Sequence, residues 1–133
     1  MKPRARRLFL IGFGALTVLV LCGVWLANSL NRNSAIRATQ EWGRLDAFPV
    51  PTSDLEVKTS GSMFTREFLI TFSGDPQRIQ DWVDKSPGTK GLVPVKDANG
   101  WWLYKIQPGG GAAAAELRLS PDKSKALVRA AWS

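Results

Sequence analysis

The stretch FTREFLITFSGDPQRIQDWVDKSPG, residues 64–88, changes its hydrophobic period half-way along. Phe64, Phe68, Ile70 and Phe72 fall on alternate positions, Thr65, Glu67 and Thr71 lie between them, and Arg66 is the one mismatch. A period of two puts the apolar set on one face of a β-strand. Beyond Ser73-Gly74 the period becomes helical, with Ile79, Trp82 and Val83 at i, i+3 and i+4. Asp75 suits the N-cap, Pro76 the first helical position, where its missing N–H costs nothing, and Ser86-Pro87-Gly88 the stop. So short a helix is marginal alone, which predicts that it docks on a sheet.

On the N-terminal side, Leu55 and Val57 alternate with Glu56 and Lys58, and Ser60-Gly61-Ser62 supplies a turn. The two arms read as a hairpin, with the 64–72 arm as the central strand. On the C-terminal side, LVPVKDANGWWLYKIQP (92–108) reads as a short edge strand, an Asn99-Gly100 turn and a strand over 101–107. Pro94 confines the first arm to an edge. Trp102, Tyr104 and Ile106 share one face; Trp101, Leu103 and Lys105 share the other. After the Gly109–Gly111 turn, Ala115, Leu117 and Leu119 alternate with Glu116 and Arg118. A last strand, Lys125 to Trp132, places Val128, Ala130 and Trp132 inward. The fold class is therefore α+β: a small antiparallel β-sheet with one helix packed on a face, preceded by an N-terminal transmembrane helix.

That N-terminal helix follows from LFLIGFGALTVLVLCGVWLA, residues 8–27, which carry no charge and only Thr17 as a polar side chain. At about 1.5 Å per residue, some 20 residues span the ~30 Å hydrocarbon layer. Three fates are open. A cleavable signal normally has a shorter apolar region; Ala27 and Ser29 would allow cleavage before Leu30. A lipoprotein would modify Cys22, but the bulky Leu21 precedes it and apolar residues continue beyond it. Length and flanks favour an uncleaved signal anchor, with Cys22 an inert thiol among lipids. Lys2, Arg4, Arg6 and Arg7 precede the span, whereas Arg32, Arg37 and Arg44 follow it more sparsely. The denser flank stays cytoplasmic. The expected organisation is a cytoplasmic basic tail (1–7), a transmembrane signal anchor (8–27), a juxtamembrane stalk and linker (28–51) and an exported α+β domain (52–133). Within the stalk, Ser34 either caps a new helix or lies inside a continuation of the membrane helix, and Pro49 and Pro51 end it. The expected location is the plasma (inner) membrane, single-pass, with the domain in a periplasm or on the cell surface.

Composition narrows the chemistry. Of the formal charge of +7, the four N-terminal cations supply more than half. The remainder is mixed in sign along the chain, so no clustered basic face suggests a nucleic-acid partner. The chain has no His, and its one Cys lies in the apolar run. That removes His-based triads and thiol catalysis, and no spacing suggests a metal or another cofactor. The expectation is a non-enzymatic role: binding or assembly in the cell envelope, with the lipid bilayer and an envelope protein as partners. The candidate partner surface is Trp101, Leu103, Leu69 and Lys105, and strand addition at the edge near Val93 or Val95 is one mode. Gly23 and Ala27, four residues apart, are a candidate helix contact for a homodimer through the membrane segment. The alternative is a cell-wall glycan binder or carboxylate-dependent hydrolase that uses Trp101 with Glu67, Asp81 or Asp84; Glu56 is a further carboxylate on the outer strands. Cleavage of the N-terminus would instead make the protein secreted.

Overall fold

A computed structural model describes residues 3–133, with side chains from residue 11 onward. Lys2 and the side chains of Arg4, Arg6 and Arg7 lie outside the described residues. The chain divides into two compact units, Met1–Ser34 and Ala35–Ser133. The secondary structure is α1 (Pro3–Gly43), a 3₁₀ turn (Thr52–Asp54), β1 (Glu56–Gly61), β2 (Arg66–Ser73), α2 (Pro76–Lys85), β3 (Val95–Lys96), β4 (Trp102–Ile106), β5 (Ala114–Leu119) and β6 (Lys125–Trp132).

In the first unit α1 is long and apolar enough to cross a membrane, and none of its most apolar stretch is buried. Such a helix is compatible with a membrane anchor or a signal sequence. Thr17, its one polar residue in the apolar run, donates its hydroxyl to the Phe13 carbonyl at 2.9 Å. That bond satisfies the hydroxyl within the helix. Gly23, Ala27 and Cys22 are all exposed.

Of the two expectations at Ser34, continuation holds: α1 passes through it without a break. Residues 35–43 of α1 belong to the second unit, where Ala35, Ile36 and Thr39 are buried. The second unit thus takes in residues 35–51 of the 28–51 stretch, and Leu45 and Phe48 join its core as well. The helix stops at Gly43, ahead of the two prolines. Arg44 adopts φ 49°, and Leu45 N–H returns to the Gln40 carbonyl at 2.8 Å, a bond that closes the last turn.

The second unit is built on a six-stranded antiparallel sheet in the order β1-β2-β6-β5-β4-β3. Strand β2 therefore lies second from an edge, and β6 and β5 hold the centre, contrary to the expected central place of β2. Hydrophobic alternation marks a strand but not its neighbours, because the β2–β6 pairing joins segments more than fifty residues apart.

The inner face carries Phe68, Ile70, Phe72, Tyr104, Ile106, Leu117, Leu119, Val128 and Ala130, all buried. Helix α2 covers it with Ile79, Trp82 and Val83. The sequence signals for α2 hold in detail: Asp75 accepts from Gln77 N–H at 2.8 Å and Pro76 opens the helix. Phe48, Phe72 and Trp82 form an aromatic cluster with ring centroids 5.5–5.6 Å apart, and Trp42 packs on Phe68 at 5.3 Å. Burying each large side chain contributes about 1.5–3 kcal/mol, which offsets the entropy of ordering this small unit. Two expected inward residues are not buried. Phe64 falls in the 62–65 turn rather than in β2, and Trp132 lies at the end of β6, where it is 44% exposed.

Candidate partner surfaces

Opposite the helix lies a second face, half-buried at most positions of β2, β4, β5 and β6. The register fixes its rows. One row runs Lys58, Leu69, Arg129, Glu116, Lys105; the next runs Glu56, Thr71, Leu127, Arg118, Leu103, Val95. Leu69 and Leu103 therefore stand three strand spacings apart, about 14 Å. Of the four residues expected to form one patch, Leu103 and Lys105 line one recess, and Trp101 and Leu69 lie outside its lining.

The centre of the face is a charged ladder. Arg129 donates Nε and Nη2 to the two carboxylate oxygens of Glu67 at 2.8 and 3.3 Å. Hydrogen bonding to Glu67 raises the Arg129 pKa further. Arg118 lies 3.7 Å from both Glu116 and Asp97, and its Nε is buried with no hydrogen-bond partner. Half-exposed pairs of this kind are worth little singly; here they fix the outer side chains in register.

Trp101 sits at one end of this face. Asp97 anchors it, accepting from Trp101 N–H at 3.0 Å while the Asp97 N–H donates to the Trp101 carbonyl at 2.8 Å. Trp101 bounds an open groove of about 480 Å³ with Asp54, Glu56, Thr71, Lys125 and Leu127. Thr71 Oγ1 lies 3.4 Å from Glu56 Oε2, and Lys58 Nζ 3.5 Å from Glu56 Oε1. The carboxylates that line this groove with Trp101 are Asp54 and Glu56; Glu67, Asp81 and Asp84 are not among its lining residues. Glu67 is occupied by Arg129, while Asp81 and Asp84 accept from Gln77 and Gln80 on α2, across the sheet. Asp54 belongs to the 3₁₀ turn after the proline pair, and nothing in its local sequence ties it to Trp101.

Leu103 and Lys105 belong to another place, the β3 edge. With Leu92, Val93 and Val95 they line a recess of about 260 Å³. Val93 is 88% and Val95 68% exposed. Strand β3 pairs only Val95 with Leu103 and Lys96 with Trp102. Because Trp101 turns its carbonyl toward β3, the two-residue alternation turns the backbone of Leu103 and Lys105 the same way. Lys105 therefore directs its N–H and carbonyl past the end of β3, toward Val93, which lies outside the ladder. Lys96 is held over the Trp102 ring at 4.8 Å.

Among the described residues no group of His, Cys, Asp and Glu is placed to hold a metal ion. Burial raises the pKa of the Tyr104 phenol under α2. The chain matches no protein-family model, no curated protein and no solved structure.

Proposed function

We propose that this chain is a single-pass membrane protein that presents a small binding module on the outer side of the plasma membrane, where it serves as an assembly component of an envelope complex. The observation that carries this reading is the β3 edge: large apolar side chains, Val93 and Val95, stand exposed beside the unpaired backbone of Lys105. Soluble folds usually blunt such an edge with charge or cover it. An extended segment of a partner protein that adds a strand there would satisfy the backbone and bury the valines. Lys105 lines the recess, so the segment that fits carries an acidic residue beside apolar ones. The anchor orientation rests on the dense cationic flank ahead of the span.

The test is photocrosslinking in native membranes from Val93, with Asn99 as an exposed control. A discrete adduct from Val93, absent from Asn99, supports the reading; identical patterns from both positions refute it.

The Trp101 groove favours a second reading, a glycan binder. An aromatic platform with Asp54, Glu56 and Lys125 around it suits stacking on a sugar ring with hydrogen bonds to hydroxyls. Pulldown on cell-wall glycan discriminates the two: retention lost in Trp101→Ala supports the second reading, and no retention of the parent chain removes it.

A further inference from the structure

We propose that the tip of the β1–β2 hairpin, Met63-Phe64, inserts into the surface of a lipid bilayer. This rests on the reading of α1 as a membrane anchor. Met63 is 89% and Phe64 75% exposed; with Val93 they are the most exposed large apolar side chains of the second unit. Such exposure at two adjacent positions calls for a partner.

The tip is a built turn. Ser62 N–H donates to the Thr65 carbonyl at 3.0 Å, and Phe64 N–H donates to Ser62 Oγ at 3.3 Å. Gly61 takes φ 136°, and a Cβ there would collide with the Thr65 carbonyl oxygen. These constraints hold the backbone of the turn that carries the two exposed side chains.

The surrounding chemistry selects lipid. Residues 57–66 contain Lys58 and Arg66 and no acid. Glu56 lies 3.5 Å from Lys58 and offsets it, and Glu67 is bonded to Arg129 at 2.8 Å, so Arg66 is the cation at the tip. Arg66 is exposed, and Trp132 stands opposite it across the β2–β6 ladder. Apolar residues at a convex tip, with Arg and Trp beside them, match the boundary between headgroups and acyl chains. A convex pair of side chains needs no shaped pocket in a fluid layer. The anchor supplies the proximity, so a contact too weak to bind alone forms at high effective concentration. Because β1–β2 and β3 are at opposite edges of the sheet, a bilayer contact at the tip leaves the β3 edge accessible.

The experiment uses the full chain with Cys22→Ser, reconstituted in vesicles of phosphatidylcholine and phosphatidylglycerol. Single cysteines introduced by Val18→Cys, Met63→Cys or Val93→Cys carry an environment-sensitive fluorophore, and lipids bear doxyl quenchers placed shallow or deep in the acyl chain. The expected result is strong quenching at position 18 and several-fold more quenching at 63 than at 93, with the shallow quencher the more effective at 63. Phe64→Asp in the Met63→Cys chain is expected to bring quenching at 63 down to the level at 93. Quenching at 18 with position 63 no different from 93 overturns the tip proposal and leaves the anchor standing. Absence of quenching at 18 overturns the anchor reading itself, and the tip proposal with it.

Discussion

Gly88 packs against Gly43 so closely that a Cβ on Gly88 would overlap the Gly43 carbonyl oxygen, and its N–H donates to the next carbonyl, that of Arg44, at 2.7 Å. This contact ties the end of α1 to the loop after α2. Gly88→Ala is therefore expected to destabilise the folded unit by about 1–3 kcal/mol. Thermal unfolding followed by circular dichroism should show a fall in Tm of about 4–8 °C per kcal/mol. An unchanged Tm would mean that the approach is looser than described.

The Trp82 indole has two roles, packing against Phe48 and Phe72 and donating Nε1–H to the Asp46 carbonyl at 3.0 Å. Trp82→Ala should cost about 3–5 kcal/mol through the cavity it leaves. Trp82→Phe keeps most of the packing and leaves the Asp46 carbonyl unpaired, for about 1–3 kcal/mol. Denaturant titrations that rank the two variants in the opposite order would contradict the packing account.

Much of this fold is legible in the sequence because its signals are local. Asp75, Pro76, Ile79, Trp82 and Val83 specify α2 within nine residues, and the alternation in 114–119 specifies β5. What sequence does not carry is non-local. Gly88 reads as a helix stop, yet its backbone packs against residues more than forty positions earlier. Phe64 continues the period of β2 but falls beyond its last pair, Gly61 with Arg66. Trp101 shares a groove with Asp54 and Glu56 only because β1 and β4 lie in one sheet, and no local pattern encodes that arrangement. The β3 edge is the exception. Pro94 marks it in the sequence, although the exposure of Val93 requires the structure.

Asp122 organises the β5–β6 turn by accepting from Ser120 Oγ and Ser124 Oγ at 2.7 Å and from Ser124 N–H at 3.0 Å. These bonds, the Ser124 N–H foremost, lower its pKa from 3.8 to about 2. A lowered native pKa means that the unfolded chain takes up the proton first as pH falls. The stability from this carboxylate is therefore present above pH 3.8 and is lost as pH falls toward about 2. Comparison of Asp122→Asn with the parent should show a stability difference at neutral pH that shrinks across this window. A difference independent of pH would contradict the ionised-acceptor role.

At the β3 edge, Val93→Ser with Val95→Ser should abolish the Val93-side partner adduct, read from an adjacent crosslinker at Leu92. Both valines are exposed, so folding stability should change by less than about 0.5 kcal/mol. Loss of the adduct together with loss of folding would indicate a structural rather than a docking role for these side chains.

The central claim is that α1 holds a folded unit on the outer side of a membrane, and one measurement bears on it most directly. The full chain with Cys22→Ser and Asn99→Cys, an exposed position in the β3–β4 turn, is treated on intact cells or spheroplasts with a membrane-impermeant maleimide. The membranes are then washed in alkaline carbonate. The chain is expected to be labelled and to stay in the membrane pellet. A chain protected from the reagent until the cells are lysed, or one released into the carbonate supernatant, would contradict the claim.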